Sequence, residues 1–142
     1  VSAMGGVVHF EIPADDQERA RNFYKQALGW RIDPMPEMDY NVVITTPMDE
    51  QTGRPTEPGA INGGMMAREG ELTNPVITVD VDDIDTTLKT VEQLGGSVIA
   101  PKSAIPGMGS FAYFKDTEGN ILGLWENQPP EQPGADAAGP VG

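Results

Sequence analysis

The turn signals of this chain repeat once along its length, and that repeat constrains the fold more than any single motif. Asp15-Asp16 recurs 67 residues later as Asp82-Asp83, and Leu28-Gly29 recurs 66 residues later as Leu94-Gly95. Around these marks each half reads as one strand, one helix and three further strands. A unit of that size buries too little apolar surface to stand alone, so the two halves are expected to pack as one domain. The expected fold class is α+β, built from two βαβββ modules over residues 5–69 and 75–127. They lie in a single domain spanning 1–142, whose Pro- and Gly-rich end, 128–142, reads as a flexible tail.

Within the first module, VVHFEIPADD alternates as a half-buried strand does: Val8, Phe10 and Ile12 on a helix-packed side, Val7, His9 and Glu11 on the other. Asp15 is placed to cap a helix running to Leu28, with Glu18 in the reciprocal capping position and Gly29 as the stop. Ala20, Phe23, Tyr24 and Ala27 recur at helical spacing as its apolar face. Strands are expected over 30–33, 40–46 and 61–68, with a polar loop over 47–59 that could cover a cavity. The pair Gly63-Gly64 suggests a bulge or a close contact.

The second module opens with a strand over 75–81, then a helix capped by Asp82 or Asp83 with Ile84, Leu88, Val91 and Leu94 as its apolar face. Strands over 97–100, 109–115 and 121–125 follow. The last two are joined by Asp116-Thr117-Glu118-Gly119-Asn120, whose polar groups and glycine suit a chain reversal. The cluster of Asp80, Asp82, Asp83 and Asp85 lacks the spacing of a calcium loop and is read as helix capping.

Charge excludes several classes of partner. Twenty-two acidic against nine basic residues give a formal charge of -13, with no basic run, so nucleic acid and anionic membranes are not expected partners. No apolar stretch reaches spanning length, and the opening VSAMGG lacks the basic and apolar parts of a secretory leader. The absence of cysteine removes disulfide and thiol chemistry. A soluble, cytoplasmic protein is the expectation. No phosphate-binding loop, dinucleotide glycine motif or nucleophile elbow is present.

The stretches VVHFEIPADDQERARNFYKQALGW, VITVDVDDIDTTLKTVEQLGG and FAYFKDTEGNILGLWE resemble the vicinal-oxygen-chelate superfamily of glyoxalases, bleomycin resistance proteins and dioxygenases. They are especially similar to the group related to lactoylglutathione lyase. The resemblance implies paired modules whose strands curve around a concave pocket with the helices outside, and, in many members, a homodimer. It also implies metal ligands on the first and fourth strands of each module. His9 holds the first such position, but its internal counterpart is Val76, and Gly123 stands where the last-strand glutamate would be. In the first module's fourth strand Met65 and Met66 offer thioethers, poor donors for a hard ion. A standard four-ligand metal site is therefore not expected, and no other cofactor is indicated.

His9 is the single histidine and the leading candidate for proton transfer, with Tyr113 orienting a substrate. Glu11, two residues along the same strand, projects from the same face. Trp30, Tyr40, Phe111 and Trp125 offer an aromatic pocket wall, and Lys115 a charge for a carboxylate or phosphate. The reading these residues favour is a glyoxalase-like protein that binds a small organic molecule and acts as a metal-independent isomerase or lyase. Two alternatives stand beside it: a divalent-metal lyase or dioxygenase with a noncanonical set such as His9, Glu11 and donors from a partner chain, and a noncatalytic small-molecule or antibiotic binding protein.

Overall fold

The computed structural model describes residues 4–128. The first three residues and, apart from Gln128, the expected tail lie outside them. Eight strands form one open sheet: β1 (Val7–Ala14), β2 (Arg31–Met35), β3 (Tyr40–Ile44), β4 (Gly63–Ala67), β5 (Val76–Asp80), β6 (Ser97–Ile105), β7 (Gly109–Lys115) and β8 (Ile121–Asn127). Two helices, α1 (Gln17–Leu28) and α2 (Ile84–Gln93), complete the order expected from the repeat.

The spatial order β2-β3-β4-β1-β5-β8-β7-β6 reads the same from either edge once the modules are exchanged. In each module the last strand returns to lie parallel to the first, β4 beside β1 and β8 beside β5. The modules meet where β1 and β5 run antiparallel, pairing His9 with Thr78 and Glu11 with Val76. An offset of 67 residues carries His9 to Val76 and Glu11 to Thr78, so this central register obeys the internal repeat. Of the three prolines inside strands, Pro34 and Pro101 fall on the edge strands β2 and β6, and Pro13 lies near the end of β1, past the last residue, Glu11, that pairs with β5.

Alternation divides the sheet into two faces. Beneath α1 lies a cluster of Ala14, Ile32, Val43 and Met65, against which Phe10, Ala20, Tyr24 and Trp30 pack. Ile84 and Leu88 of α2 cluster with Ala112 and Leu124 of the sheet, flanked by Val79, Val81, Val98 and Phe114. Burial of these side chains holds the helices to one side of the sheet. The strand register places His9, Glu11, Thr78, Gly123 and Tyr113 on the other, concave face.

Several local expectations shift. Asp16 rather than Asp15 caps α1, accepting from the Arg19 N–H at 3.0 Å, and this register removes Glu18 from the capping-box position. Asp15 instead pairs with Arg68 at 2.7 Å. Phe23 is 62% exposed and Leu94 74%: Phe23 meets Tyr24 in an edge-on ring contact, and Leu94 forms the cap of α2 beyond its apolar stripe. The paired glycines of β4 make no bulge, since the ladder to β3 runs through them in regular register. Gly29 ends α1 in the left-handed conformation, φ 73°, as a stop glycine does.

Asp83, not Asp82, caps α2, accepting from Asp85 N and Thr86 N and from the Thr86 hydroxyl. Asp83→Ala should therefore lower the melting temperature by about 3 °C, while Asp82→Ala changes it by less than about 1 °C. Circular dichroism melts of the two variants check the assignment; equal effects would refute it.

Candidate active site

One buried carboxylate collects the polar groups of the concave face. Glu11 is 8% exposed. Its Oε2 accepts the hydroxyl of Tyr40 at 2.8 Å, and its Oε1 accepts the hydroxyl of Tyr113 in a short hydrogen bond. The Tyr40 oxygen in turn lies 3.0 Å from His9 Nε2. A phenol carries one proton, and Tyr40 gives it to Glu11. His9 Nε2 must therefore be the protonated nitrogen, donating to Tyr40 and leaving the Nδ1 lone pair for another partner.

Local sequence explains how each ring gets there. Asp39, in the left-handed region at φ 50°, turns the chain out of a 3₁₀ turn (Pro36–Met38) and starts β3 at Tyr40. The phenol then crosses β4 over Gly64, which pairs with Glu11 on the next strand. A Cβ built on Gly64 would overlap the Tyr40 hydroxyl, so the close approach exists only because the side chain there is hydrogen. On the far side Tyr113 pairs with Gly123. In a flat sheet its strand would lie about 14 Å from β1, three strand spacings away. The Tyr113–Glu11 bond therefore requires the sheet to curl.

The environment sets protonation. Burial lowers the His9 pKa, and the nearby Glu11 charge opposes this more weakly, so the imidazole is neutral at pH 7. Burial first, then the Glu11 charge, push both phenols above their ordinary range. Tyr40 and Tyr113 thus remain proton donors to Glu11.

Seven of the residues singled out from sequence, His9, Glu11, Tyr40, Phe111, Tyr113, Lys115 and Trp125, share this face. Phe111 meets Tyr113 edge-on at 5.9 Å, and Trp125, in register with Phe111, donates its indole N–H to Asn127 at 2.9 Å. Lys115 lies at the end of β7 and pairs with Glu71 at 2.8 Å. Trp30 does not join them. It immediately precedes β2 and stacks on Tyr24 at 5.1 Å, packing against the cluster under α1, because its partners there are the apolar residues of the helix-covered side. Thr78 was not foreseen; it is buried between His9 and Gly123, and its place follows from the strand register alone.

Comparison with known proteins bears on this arrangement. Residues 7–47, which include His9, Glu11 and Tyr40, match the bleomycin resistance protein-like N-terminal family. A glyoxylase-like domain-containing protein of Didymella fabae is 30% identical over 121 residues, covering 82% of this chain and 89% of that protein. The chain belongs to the vicinal-oxygen-chelate superfamily. CFP32 of Mycobacterium bovis, which carries a provisional glyoxylase name, is 29% identical over 120 residues. That alignment covers 82% of this chain but only 43% of CFP32, so the chain spans less than half of that relative. Among solved structures, methylmalonyl-CoA epimerase of Mycobacterium tuberculosis aligns with TM-score 0.60 at 15% identity, covering 91% of this chain and 93% of that one. A hypothetical protein of Bacillus halodurans C-125, BH1468, gives TM-score 0.60 at 12% identity, with coverage of 92% and 100%. At such identities these structures share the superfamily fold.

The metal positions of the superfamily can be tested on this face. Symmetry of the ladders makes Gly64, rather than Met65 or Met66, the mate of Gly123, because Glu11 pairs with Gly64 as Thr78 pairs with Gly123. Met65 is fully buried on the helix side. The four positions are thus His9, Gly64, Val76 and Gly123, with one donor among them. A Cβ on Gly123 would come within 2.8 Å of the Thr78 hydroxyl, and Gly64 is covered by Tyr40, so neither site has room for a longer side chain as it stands. Both oxygens of Glu11 are committed to phenols. Among the described residues no three His, Asp or Glu converge as ligands. The donor set does not fit a divalent ion.

Two measurements check this geometry. Gly64→Ala should cost about 1–3 kcal/mol in urea unfolding, because the added methyl displaces Tyr40; an effect below about 0.5 kcal/mol would mean the phenol lies elsewhere. For His9, the folded pKa lies below its ordinary 6.5, so between the two values the unfolded chain binds a proton that the folded chain refuses. The stability linked to His9 is complete above pH 6.5 and is lost as pH falls through that window. His9→Gln should flatten the unfolding free energy against pH there, and an unchanged slope would place the imidazole in water.

Proposed function

We propose that this glyoxalase-like protein binds a small organic molecule on the concave face and moves a proton on it without a metal ion, as an isomerase or lyase. The observation that carries this is the chain His9–Tyr40–Glu11–Tyr113. Neutral His9 offers Nδ1 as a base, matched to abstraction of a proton from carbon next to a carbonyl. The C–H bond breaks, its proton goes to Nδ1, and its electron pair enters an enolate. The imidazolium so formed is stabilised by Glu11 through the Tyr40 hydroxyl, which keeps its own proton. Tyr113, whose one proton goes to Glu11, accepts a hydrogen bond from a substrate hydroxyl, fixing the substrate over His9. Return of the proton completes an isomerisation; departure of a neighbouring group completes an elimination.

Support comes from the superfamily membership and from solved epimerases of the same fold, whose named substrate is an acyl thioester. We also propose a cytoplasmic location. No described helix is long and apolar enough to cross a membrane.

Deuterium uptake from D₂O into a panel of hydroxyketones, 2-oxo acids and short acyl thioesters, followed by NMR, tests the reading. Exchange should fall about 10²–10⁴-fold in His9→Gln with folding retained. Exchange at the unaltered rate in that variant would remove His9 from the chemistry. A second reading, binding without turnover, is favoured by the bleomycin resistance-like match over 7–47. A ligand that binds tightly, takes up no deuterium and is released unchanged in mass would establish it in place of the first.

A further inference from the structure

A cavity of about 390 Å³ opens beside the network, where β7, β8 and the turn between β4 and β5 meet. Its lining includes Glu71, Asn74, Val76, Lys115, Asn120 and Ile121. Val76 pairs with Glu11, and Lys115 follows Tyr113 by two residues on the same face, about 7 Å further along the strand. Cavity and proton chain are therefore neighbours on one surface. Lys115 is the one cation on β5, β7 and β8. Its Nζ meets Glu71 Oε1 at 2.8 Å, with the two side chains 35% and 57% exposed.

The two partners are held very differently. Lys115 is part of a strand, paired with Ile121 and Ser97 on either side. Glu71 stands on a short turn closed by the Glu69–Leu72 bridge and belongs to no strand. An ion pair this exposed contributes little to stability, so exchange of its carboxylate for another is nearly balanced.

From this we infer that Lys115 anchors the carboxylate of a small organic acid, with Glu71 occupying the anchor when no ligand is bound. The inference rests on the reading that the concave face takes a small organic molecule, and it names the class. An acid seated on Lys115 extends its body past Val76 toward Tyr113 and His9, with Phe111 and Trp125 beyond. Selection is local, since a chain of charge -13 repels anions elsewhere on its surface. Glu71 sharpens it further: a neutral ligand cannot release the lysine.

NMR titration of the full chain with acetate, glycolate, pyruvate and benzoate, each beside its neutral amide, tests the anchor at the backbone amides of 115–121. At least one acid should bind about tenfold more tightly than its amide. Lys115→Gln should abolish that preference, and Glu71→Gln should tighten the acid about threefold by removing the internal competitor. The second variant gains affinity, which misfolding cannot imitate. No preference for any acid, a preference for the amide, or a preference that survives Lys115→Gln would each overturn the inference. Deuterium exchange is scored separately. Exchange retained with the acid preference absent defeats the anchor alone, while a preference without exchange defeats only the proton-transfer reading.

Discussion

A buried carboxylate must be satisfied or expelled, and in this protein Glu11 is satisfied from both halves at once. Tyr40 comes from the first module and Tyr113 from the second, separated from Glu11 by 29 and 102 residues respectively. Leaving either oxygen unpaired at that depth carries a desolvation cost that the fold avoids by curling. Glycine at 64 and 123 clears the floor of the curl, one admitting a phenol and the other a threonine hydroxyl. The concave shape, the proton chain and the loss of metal donors are consequently linked facts.

The two modules share a backbone plan and divide the chemistry. On the first lie the imidazole, the carboxylate and one phenol; on the second lie Thr78, the other phenol, the lysine and most of the aromatic wall. Their helix-covered sides are alike in kind, each a small apolar cluster under one helix. The polar groups that set them apart lie on the face away from the helices.

Much of this was legible in the sequence because it depends on neighbours in the chain. Capping aspartates, stop glycines and the period of two in VVHFEIPA placed the elements and put His9 and Glu11 on one face. Asp15 and Asp16 differ by one position and either can cap, so only backbone geometry could choose between them. Phe23, in the middle of α1, and Leu94, the C-cap of α2, kept helical spacing yet stay exposed, because periodicity overstates burial on short helices. Trp30 was drawn to the pocket by its ring, whereas its position just outside β2 turns it to Tyr24. The meeting of Tyr40 and Tyr113 at one carboxylate was not legible, because it runs across strands. The glycines at 64 and 123 were its one local trace, the first read as a bulge or a close contact and the second as a missing ligand until the residues passing over them were known.

Each module closes on itself, β4 against β1 and β8 against β5, and the eight residues 68–75 are the tether between them. Fully extended, a tether of that length reaches roughly 26 Å. If it straightened, two chains could trade their C-terminal halves, rebuilding the same ladders and the same Tyr113–Glu11 contact with strands of different origin. The topology that gives one chain a complete centre thus leaves open a reciprocal exchange in which each centre is composite.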